Sequence, residues 1–213
     1  FDEGVFKSTD DGRTWTLKRN GLGHPNNMRV CRVILHADGT LFASICAKRP
    51  SAGAPLMSEG VGLYRSRDGA ETWEKINASQ PLLYVKDFSV HPGDSRRLLL
   101  GACDAGRGDQ SGGLYLSDDG GQTWRRIGRQ GPQTFGGYFH PQREGWIYMT
   151  LTEGAPGAGL WLSRDNGQTW KAFDALPFSN IQRVEFDLAD PARIRLATFG
   201  GSVWCGPIST DFQ

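Results

Sequence analysis

The chain has 213 residues, with 24 basic against 23 acidic side chains and a formal net charge of +1. That balance gives no electrostatic reason to expect nucleic acid or an anionic membrane as a partner. No apolar run approaches the roughly 18 residues a membrane span needs, and Phe1 is followed by no leader, so the chain reads as mature, trimmed or a fragment.

Short β-rich runs between turn signals predict strands throughout. Name the strands of a four-stranded sheet A to D from the inside outward. Residues 1–20 read as a C–D pair: Gly4-Val5-Phe6-Lys7, the octet Ser8-Thr9-Asp10-Asp11-Gly12-Arg13-Thr14-Trp15, then a second strand. Residues 28–77 read as a full sheet. Its B strand ends on Leu41–Cys46, its C strand is Gly62–Arg65, and its octet runs from Ser66 to Trp73. Two more follow at about 84–128, with the octet Ser117–Trp124, and 135–174, with the octet Ser163–Trp170. Residues 180–206 read as A, B and C only, ending on Ser202-Val203-Trp204-Cys205 with no octet. Cys31 and Cys46 fall opposite each other in the first A–B hairpin. A disulfide is open to them, and buried free thiols are the favoured reading. Neither they nor Cys103 and Cys205 form a C-x-x-C pair, so no zinc site is expected.

The octet has the form S-x-D-x-G-x-T-W and recurs at intervals of 58, 51 and 46 residues. Such spacing suits a propeller blade of four strands. The chemistry suits a tight C–D turn. The Asp carboxylate accepts backbone N–H groups of its own loop, the Gly supplies a positive φ, and the Trp opens the next strand. The second copy departs from the pattern, with Gly69 one place early and Ala70 where Gly is expected. Either that turn is rebuilt or Ala70 is left-handed at a cost of roughly 1–2 kcal/mol.

These octets resemble the Asp-box, or BNR, repeats. The resemblance spans essentially the whole chain and implies an all-β propeller. About four blades are visible, and the incomplete first and last sheets read as part of a larger ring, with a closed small propeller the alternative. The repeat occurs in sialidases, xyloglucan-active glycoside hydrolases, sortilin-type receptors and photosystem II assembly factors. The ending Ala197–Trp204 looks most like the last blade of the xyloglucanase and sortilin-like group. Fold kinship transfers no reaction. The Phe-Arg-Ile-Pro segment of sialidases is missing here, and no catalytic residue carries over.

Alternating strand direction places A–B and C–D turns on one face and B–C and D–A loops on the other. Asp10, Gly12, Trp15, Asp68, Trp73, Asp119, Gly121, Trp124, Asp165, Gly167 and Trp170 are therefore structural, on the face away from a ligand mouth. His36, His91 and His140, with Asp187 in the fourth copy, end strand A at equivalent places and serve the repeat. The B–C loops vary most, their spans falling from 18 to 12, 9 and 5 residues along the chain, and such loops carry function on a rigid scaffold. Glu59, Asp104, Asp109 and Glu153 are the loop carboxylates that a glycosidase would need in pairs, roughly 5–10 Å apart. His24, Arg107, Tyr84 and Tyr138 are candidate ligand contacts, with Phe135 a further aromatic near the same face. No cofactor or metal is expected. The preferred reading is a recognition or scaffold module binding a glycan or protein on the loop face, secreted, periplasmic or at the cell surface. Its ring is completed by another chain or a missing segment. The alternative is a portion of a glycoside hydrolase.

Overall fold

The computed structural model describes residues 3–80, 82, 84–103, 111–128, 134–152, 157–174, 176–187, 189–190 and 192–207. Strands β1 (Val5–Lys7) and β2 (Thr16–Lys18) form an antiparallel pair. A four-stranded sheet follows: β3 (Val30–Leu35), β4 (Leu41–Ile45), β5 (Gly62–Ser66) and β6 (Glu74–Lys75). The next comprises β7 (Tyr84–His91), β8 (Asp94–Cys103), β9 (Gly113–Ser117) and β10 (Arg125–Arg126). The third comprises β11 (Thr134–Phe139), β12 (Ile147–Leu151), β13 (Gly159–Ser163) and β14 (Lys171–Ala172). A three-stranded sheet of β15 (Ile181–Phe186), β16 (Arg193–Thr198) and β17 (Val203–Pro207) comes last. Within each sheet the strands lie in chain order and every neighbouring pair is antiparallel. This is the up-and-down blade of a β-propeller.

The core lies between blades. The period of two along a strand sends alternate side chains to opposite faces. In β8, Leu98 and Leu100 join Phe42, Leu63, Val85 and Phe88 on one side. Leu99 joins Leu114, Phe139, Ile147 and Met149 on the other. A strand buried on both faces thus reads as the continuous run Leu98-Leu99-Leu100, each worth about 1.5–3 kcal/mol on full burial. Tyr148, Leu160 and Leu162 meet Ile181, Val184 and Leu196 in the same manner.

The octets form the C–D turns, and each is held by the same bonds. In the third, Ser117 Oγ donates to Asp119 Oδ1 at 2.8 Å, and the Gly121 N–H donates back to Ser117 Oγ at 2.8 Å. Thr123 gives its N–H to Asp119 Oδ1 at 2.9 Å and its hydroxyl to Oδ2 at 2.5 Å. These bonds, the Thr hydroxyl first, hold Asp10, Asp68, Asp119 and Asp165 down at a pKa of about 2. Each turn contains two successive left-handed residues: Asp11–Gly12, Gly69–Ala70, Gly120–Gly121 and Asn166–Gly167.

Ala70 does adopt the left-handed conformation, with φ at 76°. At two other boxes a methyl would collide with the preceding blade: a Cβ on Gly121 would lie 2.5 Å from the Ile76 carbonyl oxygen, and one on Gly167 would lie 2.7 Å from Ile127 Cβ. The residue placed like Ile76 and Ile127 before the Ala70 turn is Lys18, whose ammonium pairs with Glu71 at 2.6 Å. The exception has a visible side effect. Trp15, Trp124 and Trp170 each donate their indole N–H to the box glycine's carbonyl at 3.0 Å. The buried Trp73 indole N–H has no partner among the described residues.

One sequence expectation is corrected. Cys31 and Cys46 form a disulfide, with Cα atoms 6.3 Å apart, rather than standing as free thiols. Cys31 is the extra residue of a β-bulge between Val30 and Arg32, and the Cys46 N–H bonds the Arg29 carbonyl, which brings the two side chains together.

Candidate functional site

Side-chain contacts define the two faces. Arg97 of β8 donates to Asp118 at 3.2 Å and Asn166 at 2.9 Å, both in C–D turns, and to Glu144 in an A–B turn at 2.6 Å. That face holds the repeat together. At each A–B turn the residue after or at the end of strand A accepts an N–H two places on. His36 Nδ1 takes it from Asp38 at 3.3 Å, His91 Nδ1 from Gly93 at 3.2 Å, His140 Nδ1 from Gln142 at 3.1 Å, and Asp187 Oδ1 from Ala189 at 2.9 Å. An imidazole acceptor does the work of an Asx-turn here.

On the opposite face the B–C and D–A loops are fastened together. Asn27 is fully buried, and its amide donates to the Cys46 carbonyl at 3.3 Å and the Glu59 carbonyl at 3.0 Å. His24 and Asn27 pair through backbone bonds of 3.1 and 2.7 Å, and His24 Nδ1 accepts the Asn26 N–H at 3.2 Å. The long B–C loop is itself pinned by a Lys48–Met57 bridge. A second device repeats around the ring. The C-strand aromatic of β5, β9, β13 and β17 bonds back to its own B–C loop: Tyr64 to Gly60, Tyr115 to Ser111, Trp161 to Gly157 and Trp204 to Gly201, each at 2.8 Å. The loops are thus anchored to the sheets at their C-terminal ends.

Between the faces runs an axial network that the sequence did not disclose. Every A–B pair carries a bulge at the same place, so Arg32, Asp87, Gly136 and Arg183 occupy equivalent positions just past it. Asp87 is 0 % exposed. It accepts Arg32 at 2.8 and 2.9 Å, Arg183 at 3.1 Å and the Tyr138 hydroxyl at 2.9 Å. Arg32 reaches onward to Glu185 at 3.2 Å, which spans the axis from β3 to β15. Gly136 makes room: a Cβ there would lie 2.5 Å from the Tyr138 hydroxyl oxygen. Burial, with the Asp87 charge behind it, pushes the Tyr138 hydroxyl well above its usual pKa. The buried Asp87 carboxylate is thus paired with two arginines, as a buried charge requires.

Of the candidate contacts, Glu59 is exposed on the loop face and His24 and Tyr84 are half-buried. Tyr138 is buried, and its hydroxyl also donates to the Gln182 carbonyl at 2.8 Å. It serves the axis and presents no ring face to a ligand, which corrects its reading as a ligand contact. Phe135 is a bulge residue, half-buried beside it. Asp104, Arg107, Asp109 and Glu153 lie outside the described residues. Among the described residues no cluster of three His, Cys, Asp or Glu is placed to hold a metal, and no helix is long and apolar enough to cross a membrane.

Fold and turn chemistry together define a β-propeller. Its repeats are BNR/Asp-box repeats: that family matches residues 115–126 and 161–172, the third and fourth C–D turns with their flanking strands. No curated protein matches the sequence significantly. Among solved structures, the GH74 xyloglucanase from Xanthomonas campestris superposes with a TM-score of 0.68 at 19% identity, covering 98% of this chain and 34% of that one. YCF48 bound to D1 peptide gives 0.60 at 14% identity, covering 94% and 57%. The extracellular domain of a putative one-component system from B. thetaiotaomicron gives 0.60 at 14%, covering 95% and 24%. The chain therefore spans about a third of the xyloglucanase it resembles, and at these identities the likeness is one of fold.

Proposed function

We propose that the chain is a recognition or scaffold module that binds a glycan or a protein through its B–C/D–A loop face. The observation that carries this reading is the buried Asn27, which joins the loop bearing His24 to the loop bearing Glu59. Binding surfaces held rigid before the ligand arrives lose less entropy on association. The C-strand aromatics that pin the other loops favour the same role. His24 and Tyr84 are the described side chains assigned to contact, and Glu59 is the described loop carboxylate on the same face. Two of the similar structures, one a peptide complex and one a xyloglucanase, supply the two ligand classes to try. The disulfide favours an oxidising compartment, so we place the chain outside the cytoplasm.

The test is a panel of plant and sialylated oligosaccharides and peptides, read for binding and for bond cleavage. Binding without cleavage, weakened by His24→Ala or Glu59→Gln, supports the module. Cleavage lost in Asp104→Asn or Glu153→Gln replaces it with the glycoside hydrolase reading, in which the loop carboxylates act as acid, base or nucleophile.

A further inference from the structure

The Cys31–Cys46 disulfide joins the bulge of β3 to the residue at which the long B–C loop begins. The next blade shows what the second of these sulfurs does when no bridge is open to it. By strand register Cys103 is the counterpart of Cys46, and Lys86 is the counterpart of Cys31. Cys103 forms no disulfide, and its thiol donates to the Thr134 carbonyl of the following blade at 3.5 Å. Cys46 is aimed the same way, with Sγ 2.9 Å from the Val85 carbonyl oxygen of β7. In the disulfide that sulfur carries no proton to give. Cys31 Sγ likewise lies 3.7 Å from a carbonyl oxygen, that of Arg29. Each sulfur of the bridge thus faces an acceptor that only a thiol can use.

The two sulfurs differ in access. Cys31 is exposed and Cys46 is half-buried. That exposure belongs to the bulge position, because Lys86, at the same place in a blade flanked on both sides, is exposed as well. Cys46 is held from both ends of its own peptide units. Its N–H donates to the Arg29 carbonyl at 3.1 Å, and its carbonyl accepts the Asn27 amide at 3.3 Å. Cys31 is the extra residue of the bulge and stands outside the ladder pairing, so opening the bridge disturbs no paired position between β3 and β4.

We propose that Cys31 is a site of reversible modification by low-molecular-weight thiols, with Cys46 as the sulfur that is released and sheltered. A thiolate attacks Cys31 Sγ, the S–S bond breaks, and its electron pair leaves with Cys46 Sγ. Cys31 then carries the mixed disulfide. The Cys46 thiolate takes a proton from solvent and donates it to the Val85 carbonyl, as Cys103 does to Thr134. Attack of the Cys46 thiolate on Cys31 Sγ reverses the step and expels the small thiol. Exposed disulfides are the labile ones, and the sulfur that is open to attack decides which residue keeps the modifier. The exchange moves one tie of Cys46 from within its blade to the seam with the next, beside Tyr84.

The probe is reduced glutathione, incubated with the folded chain in a Cys205→Ser background that removes the exposed thiol. Acid quenching, alkylation with iodoacetamide in denaturant and peptide mass mapping then locate each sulfur. Glutathione is expected on Cys31 in at least tenfold excess over Cys46, with Cys46 recovered alkylated. Cys31→Ser isolates the released state. Its Cys46 thiol should react with iodoacetamide under native conditions at least tenfold more slowly than the Cys31 thiol of Cys46→Ser. The infrared difference between Cys31→Ser and the Cys31→Ser, Cys46→Ser double variant should show an S–H stretch lower in frequency than in the unfolded chain. A bridge that stays oxidised until denaturant is added, or glutathione shared evenly or carried by Cys46, overturns the proposal. So do equal alkylation rates, or a Cys46 S–H stretch at its unfolded frequency. No loop-face ligand enters these readings, so failure here leaves the proposed function standing.

Discussion

Exchanging glycine and alanine between two Asp-boxes tests what the boxes do. In Gly121→Ala the new Cβ sits at a φ of 90°, 2.5 Å from the Ile76 carbonyl oxygen and 2.9 Å from Ile76 Cβ. The left-handed conformation costs about 1–2 kcal/mol and the overpacking about 1–3 kcal/mol, while the stiffer unfolded chain returns about 0.4–1 kcal/mol. The net is a loss of about 3 kcal/mol, which for a domain of this size lowers Tm by roughly 6–12 °C. Ala70→Gly runs the other way. It relieves a left-handed alanine and opens the Trp73 indole N–H to the bond that the other three boxes make. Against this it gives up a buried methyl, worth about 0.8 kcal/mol, and some chain stiffness. Its Tm should stay level or rise by a few degrees. Thermal unfolding by circular dichroism measures both. If Gly121→Ala unfolds at the parent temperature, or Ala70→Gly falls as far as Gly121→Ala, the account of box-to-blade packing is wrong.

Four further outcomes follow from the same geometry. Asp87→Ala should cost about 3–5 kcal/mol in urea unfolding, because it leaves Arg32 and Arg183 facing each other without their shared carboxylate. Reducing the Cys31–Cys46 disulfide, which closes a 15-residue separation, should lower stability by about 3 kcal/mol on a loop-entropy basis. Burial, with Arg97 beside His91 and Arg143 beside His140, holds both imidazoles below their usual pKa. The unfolded chain therefore takes up protons first, and stability should begin to fall as pH drops below about 6.5. The box aspartates add a second window. Their folded pKa of about 2 lies below the unfolded value, so their stabilisation holds above about pH 4 and is lost as pH falls toward 2. Denaturant midpoints taken from pH 8 to pH 2 should show two steps, and His140→Gln should shrink the upper one.

The boxes were legible because the same chemistry recurs at each, so Asp10, Asp68, Asp119 and Asp165 could be read as turn residues before any coordinates. The A-strand histidines yielded to the same test. The axis did not, for a reason visible in its members. Positions 32, 87, 136 and 183 are Arg, Asp, Gly and Arg, four different answers to one place, and only their convergence makes them a unit. Tyr138 looked like a ligand contact because nothing local reveals that Gly136 lets its hydroxyl reach Asp87. The Cys31–Cys46 pairing turned on a bulge, and a one-residue insertion in a strand has no signature of its own in an apolar run. Ala70 sits between these cases: the departure was plain in the sequence, while the choice between a rebuilt turn and a left-handed alanine fell to the structure.

The link from Arg32 to Glu185 joins residues 153 positions apart, and Asp87 draws its partners from β3, β11 and β15. A stack of repeats held only by nearest neighbours can fray from its ends, unit by unit. Here an arc that stops before β15 leaves the buried Asp87 without Arg183 and leaves Arg32 without Glu185. The penalty falls on every intermediate at once, so unfolding should proceed as a single event spanning β3 to β17. In effect the axis serves as a counter that registers when four inner strands are present.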